Sequence, residues 1–115
     1  MHVGATMGNM VIALFRPKPD KAADLMACMR DHLPVLRAQG LATSRPSMIL
    51  RAADGTLLEI FEWVSQEAID AAHDNHAVLA LWQRYAACCD YVTLGDLAEA
   101  KAMFPGFALV EMVET

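Results

Sequence analysis

The chain has 115 residues, 56% of them hydrophobic and 20% charged, which suits a single domain that buries its own core and excludes a disordered chain. A net charge of -5, with nine Lys and Arg scattered rather than gathered into a stripe, excludes a phosphate-backbone binder, so no nucleic acid partner is expected. No apolar run approaches the roughly 20 residues of a membrane span, and no membrane partner is expected either.

One domain is expected over 1–115, with residues 1–8 flexible. The start Met1-His2-Val3-Gly4-Ala5-Thr6 lacks the charged and apolar regions of a leader. The three cysteines, Cys28 and the adjacent Cys88-Cys89, have no metal or redox spacing and read as free thiols of a reducing compartment. Both features point to the cytoplasm.

From Asn9 to Phe15 the chain is apolar from Met10 onward until Arg16-Pro17-Lys18-Pro19 ends the run, the pattern of a strand buried on both faces. Asp20 is the expected N-cap of a helix over 20–38 whose apolar stripe is Ala22, Leu25, Met26, Met29, Leu33 and Leu36. Pro34 predicts a bend or a restart in that helix, and Gly40 its stop. A second strand is expected within Ser47 to Ala53, with Asp54-Gly55 as a two-residue hairpin turn into a third strand from Thr56.

If Ala53 faces Thr56, Leu50 pairs with Glu59, Met48 with Phe61 and Pro46 with Trp63 on one face. Arg51 then pairs with Leu58, Ile49 with Ile60 and Ser47 with Glu62 on the other. Ser65 caps a helix to about His73, and Asp74-Asn75 breaks it or caps another with Val78, Leu81, Trp82, Tyr85 and Cys89 on its core face. Residues 94 to 104 suggest a short amphipathic helix around Leu97, Ala98 and Met103, and Pro105-Gly106 leads into a last strand from Phe107 to Val113. This order predicts an α+β fold, the ferredoxin-like βαββαβ arrangement with both helices on one side of a four-stranded antiparallel sheet. The second apolar face then needs a cover, most simply another copy of the chain.

The element order, and the junction Phe61-Glu62-Trp63-Val64-Ser65-Gln66-Glu67-Ala68-Ile69 followed by histidines, resemble the dimeric α/β-barrel superfamily and, within it, the antibiotic-biosynthesis monooxygenase-like (ABM) group. The resemblance covers residues 9 to 113. It implies a homodimer packed sheet to sheet, a pocket between sheet and helices, and cofactor-independent oxygenation of quinol-like aromatics as one activity found in the group. Haem degradation, another, would need an asparagine on the first strand, a tryptophan and a helical histidine. Trp63 is present, but Asn9 precedes the strand and Leu81-Trp82 stands where the histidine would be.

Trp63 either lines a pocket with Phe61 and Met48 or is a core tryptophan; Trp82 and Tyr85 could close the same pocket or fill the core. His73 and His76, three apart, could serve proton transfer or ligate a metal with a carboxylate if one helix carries both, or be exposed or capping residues; a metal would need third and fourth ligands that no recognisable spacing offers. Glu59 shares the expected face of Phe61 and Trp63, a setting suited to taking a proton from a phenol. Glu62, on the opposite face with Arg51, reads as a structural ion pair. Eight methionines offer either a pliable pocket or ordinary core filling.

No phosphate loop, nucleophile elbow or metal-protease pattern is present, so no cofactor and no metal is expected. The leading expectation is therefore a homodimer binding a small apolar or aromatic ligand. Glu59, His73 and His76 are its catalytic candidates, and Met48, Phe61, Trp63, Trp82 and Tyr85 its pocket walls. The alternative is a non-catalytic ligand-binding or structural dimer with a filled interior.

Overall fold

The computed structural model describes residues 8–112. The flexible lead expected for 1–8 therefore falls almost wholly outside the described residues, as does Val113. Strand β1 (Asn9–Pro17) is followed by helix α1 (Ala22–Ala38), the hairpin of β2 (Met48–Arg51) and β3 (Leu57–Trp63), and helices α2 (Gln66–Ala72) and α3 (His76–Cys88). Two further strands, β4 (Cys89–Tyr91) and β5 (Ala108–Val110), flank two single turns of 3-10 helix, Leu94–Asp96 and Ala98–Lys101. The strands form one antiparallel sheet in the order β4-β1-β3-β2-β5. Among the described residues no helix is long and apolar enough to cross a membrane.

The sheet thus has five strands where four were expected. The fourth place, beside β1, goes not to residues 107–113 but to Cys89–Tyr91, which pairs as soon as α3 ends, with Phe15 opposite Tyr91 and Pro17 opposite Cys89. The later segment adds a fifth strand at the far edge, against β2. A three-residue strand carries too little alternation to be separated from the helix it follows.

The hairpin register also differs, by one residue. The Ala52 N–H donates to the Thr56 carbonyl at 2.8 Å and the Gly55 N–H to the Ala52 carbonyl at 3.0 Å, so the loop holds three residues, Ala53, Asp54 and Gly55. Gly55, at φ 92°, takes the left-handed position that closes a three-residue loop. Met48 therefore faces Ile60, Ile49 faces Glu59 and Leu50 faces Leu58. Because side chains alternate, this single step sends Met48 to the face away from the helices and brings Ile49 inward.

Helix α1 starts later than expected. Asp20 is not its cap but sits at φ 63° in the turn closed by the Lys21 N–H on the Lys18 carbonyl. The helix runs through Pro34 without a restart and ends at Gly40, φ 72°, where the Gly40 N–H reaches the Arg37 carbonyl and the Leu41 N–H that of Leu36. Ser65 Oγ accepts from the Ala68 N–H to cap α2, and Asn75 Oδ1 accepts from Ala77 and Val78 to cap α3, as the sequence indicates.

The core lies between the helices and one sheet face. Leu25, Cys28, Met29, Leu81, Tyr85 and Cys88 pack on Phe15, Ile49 and Leu57, while Leu33, Leu36 and Val78 pack on Phe61 and Trp63. The other face is only half covered. In place of the amphipathic helix expected over 94 to 104, Leu97 alone is buried, against Leu14, Ala52 and Leu58; Ala98 and Met103 are exposed. Met10, Ile12 and Met48, each about half exposed, leave the remainder open, so β1 is not buried on both sides within one chain.

Three carboxylates, two exposed and one, Glu62, largely buried, tie loops to the frame. Asp54 is held below its ordinary value of 3.8 by the Thr56 N–H and hydroxyl and then by Arg16. Glu62 is held below 4.5 by the Thr43 hydroxyl and the Arg45 guanidinium. Its cationic partner is thus Arg45 rather than the expected Arg51. Asp96 is held below 3.8 by the Thr93 N–H and hydroxyl. Each group is more acidic folded than unfolded, so its contribution is complete above the unfolded value and is lost as pH falls through the folded one. Urea-unfolding stability should decline as pH drops below the ordinary carboxylate values of 3.8 and 4.5; a flat profile there would show that these bonds contribute nothing.

Candidate functional site

The inner sheet face carries one carboxylate. Glu59 lies in the middle of β3, between Ala13 of β1 and Ile49 of β2, and only 1% of its surface is exposed. A charge so placed requires a partner. The partner is His32 of α1, also buried, whose Nδ1 donates to Glu59 Oε1 at 2.5 Å. His32 falls on the same helical stripe as Leu25, Cys28 and Leu36, which turns it inward. Small Ala13 beside Glu59 leaves room above the sheet.

That room is a cavity of about 360 Å³ lined by Val11, Ala13, Phe15, His32, Phe61, Trp63, Trp82, Tyr85 and Tyr91. Six of these residues are aromatic. The imidazole stands edge-on to Phe61 at 4.9 Å, to Tyr85 at 5.5 Å and to Phe15 at 6.4 Å, so ring packing fixes its plane. With Nδ1 committed to Glu59, Nε2 is the nitrogen left without a partner among the described residues. A carboxylate behind an imidazole sets the tautomer and leaves the other nitrogen as the acceptor, the arrangement of an oriented base.

A second polar group borders the same space. Tyr85 stacks on Phe15 at 4.6 Å, and its Oη is the one buried side-chain oxygen or nitrogen without a hydrogen-bond partner among the described residues. Burial, and then the carboxylate of Glu59, push this hydroxyl far above the ordinary tyrosine range, so it is a donor at any physiological pH. Two of the thiols close by, Cys28 and Cys89, are disfavoured as thiolates by their burial. Cys28 and Cys88 lie 3.8 Å apart, and burial raises Cys28 to about 11 and Cys89 to about 12.

Of the residues singled out from the sequence, Phe61, Trp63, Trp82 and Tyr85 meet around this cavity. Glu59 belongs to the site but lies behind His32, as its orienting group rather than the one that meets a ligand. Met48 does not join them, because the register places it on the opposite face. His73 and His76 are not brought together: α2 ends before His73, and Asn75 starts a new helix at His76. His73 is exposed, its Nδ1 on the Ile69 carbonyl at 2.9 Å and its ring against the back of Trp82 at 5.2 Å. His76 is exposed at the first position of α3. Among the described residues no group of three or more His, Cys, Asp or Glu could hold a metal ion.

His32 is the residue that sequence reasoning missed. The available signal was a histidine on an apolar helical stripe, a position where an imidazole must find a buried partner. No family model, no curated protein and no solved structure matches this chain.

The pairing has a stability consequence. His32→Ala strands the Glu59 carboxylate and should cost about 3–5 kcal/mol in urea unfolding, whereas replacing both members with leucine should recover most of the loss. If His32→Ala unfolds at the wild-type urea concentration, the pair does not hold the two layers together.

Proposed function

We propose that this protein binds a small, flat, largely apolar aromatic molecule bearing an acidic hydroxyl, and oxygenates it without a cofactor. The observation that carries the reading is the His32–Glu59 pair, whose unpartnered Nε2 belongs to the wall of an aromatic cavity large enough for a ligand of about two or three fused rings. An interior of this kind favours binding or catalysis over a dimer with closed cores.

In the proposed reaction His32 Nε2 takes the proton of a phenol or enol, and Glu59 stabilises the imidazolium. The substrate anion passes one electron to dioxygen, and the resulting radicals join through a new C–O bond as a peroxide. The imidazolium returns the proton, and the hydroperoxide loses water to leave a carbonyl on the ring. The net change is one dioxygen consumed, one oxygen atom in the product and one in water. The protein's tasks are to remove a proton, hold the anion and exclude water. Phe15, Phe61, Trp63 and Trp82 supply the exclusion.

The strand order β4-β1-β3-β2, with both crossovers on one face, supports a ferredoxin-like core to which β5 is an addition. A second copy is the proposed cover for the open half of the sheet. Ile12, Ile60 and Met48 form one row across three strands, with Met10 beside it, and a row of this kind is self-complementary about a twofold axis. On this reading the molecule is a dimeric α/β barrel of the antibiotic-biosynthesis monooxygenase-like kind.

Oxygen uptake with a panel of anthrones and hydroquinones tests the chemistry. Wild type should turn over at least one of them, and His32→Gln should be slower by about a hundredfold or more, with Glu59→Gln between them and His76→Ala like wild type. Binding without uptake by wild type reduces the reading to a ligand-binding protein. For the assembly, sedimentation should give twice the chain mass, and Ile12→Asp should give a folded monomer or an insoluble protein. A wild-type mass of one chain at micromolar concentration would remove the dimer.

A further inference from the structure

We infer that Tyr85 is the positioning donor of this cavity, and that the ligand is held there as its oxyanion between the Tyr85 hydroxyl and a protonated His32 before any reaction with oxygen. The inference rests on the base role given to His32 above, but concerns the bound state alone.

The argument starts from the orphaned hydroxyl. Tyr85 is 1% exposed, yet its Oη has no acceptor among the described residues. Buried hydroxyls almost always have a partner, because one left without costs more than the phenylalanine that would fill the same space. Packing therefore does not explain the oxygen. The α3 stripe of Val78, Leu81, Tyr85 and Cys88 would bury a phenylalanine equally well. What the hydroxyl adds is a donor on a residue that lines the cavity next to His32, the two rings being 5.5 Å apart, with the oxygen itself covered until a ligand draws it in.

The two polar groups complement each other. The imidazole with its carboxylate can accept a proton, and the tyrosine can only donate, because it does not ionise at working pH. A ligand hydroxyl that gives its proton to Nε2 leaves an oxygen that can accept from both the new imidazolium and the tyrosine. Hydrogen bonds to charged oxygen are about twice as strong as those to neutral oxygen, and they gain further where mainly aromatic walls lower the local polarity. Both effects favour the anion over the neutral ligand. With cavity walls otherwise apolar apart from Tyr91, whose side chain is largely exposed, a neutral hydrocarbon of the same shape gains none of this.

The ionisation state of a bound chromophore is the direct readout. 4-Nitrophenol is titrated with protein at a pH where the free compound is mainly neutral, following the long-wavelength band of the 4-nitrophenolate anion. Wild type should bind it with growth of that band. Tyr85→Phe should bind it with a ratio of anion to neutral form lower by about tenfold, the effect of one lost charge-assisted hydrogen bond. Tyr85→Phe should also be at least as stable as wild type in urea, since an unpartnered buried oxygen has been removed, so its loss of signal would not reflect misfolding.

The inference is overturned if 4-nitrophenol does not bind wild type, if it binds in neutral form, or if Tyr85→Phe gives the wild-type ratio. These outcomes are independent of oxygen uptake. Failure to oxygenate with the anion band present defeats the oxygenase reading and leaves Tyr85 as the anchor of a binding site, while uptake with an unchanged band in Tyr85→Phe does the reverse.

Discussion

The inner half of this molecule is organised around a carboxylate almost wholly shielded from water. Glu59 occupies the centre of the sheet, flanked in register by Ala13 and Ile49, and an ion there must be matched within hydrogen-bond distance. His32 meets that need from α1. The pair thereby links sheet to helix, which couples the placement of α1 to the geometry of the cavity. The rings of Phe15, Phe61 and Tyr85 then lock the imidazole edge-on, so what stabilises the layer also aims the nitrogen.

The two faces of the sheet have different solutions to the same problem of apolar surface. Toward the helices, bulky side chains surround small Ala13 and leave space rather than filling it. On the opposite face the chain after β4 folds back, and Leu97 covers Leu14 and Leu58. The row of Ile12, Ile60 and Met48 stays outside that cover. Polar ties at the rim, Asp54 with Arg16 and Glu62 with Arg45, hold the β2–β3 loop and the chain before β2 against the strands.

Much of the local structure was legible. The Ser65 and Asn75 caps, the Gly40 stop and the positions of the first three strands follow from side-chain chemistry that acts within a few residues. The errors arose where one residue changes a long-range outcome. Taking Asp54-Gly55 as a two-residue turn instead of the end of a three-residue loop reversed the faces of β2, and with them Met48 and Ile49. Treating the α1 stripe as purely apolar passed over His32. The last strand was found, but its place was not, because nothing in residues 108–110 distinguishes the edge beside β2 from the edge beside β1.

By itself the sequence determined the α+β class of fold, the Ser65 and Asn75 helix starts, the Gly40 stop and the aromatic character of the interior, all set by composition, periodicity and capping groups close along the chain. Tertiary structure alone decided that Glu59 meets His32, residues 27 positions apart, and that His73 and His76 never share a helix face. The reason is that a charge buried in a sheet selects its partner by distance in space. That distance depends on register and helix rotation, quantities that no local pattern encodes.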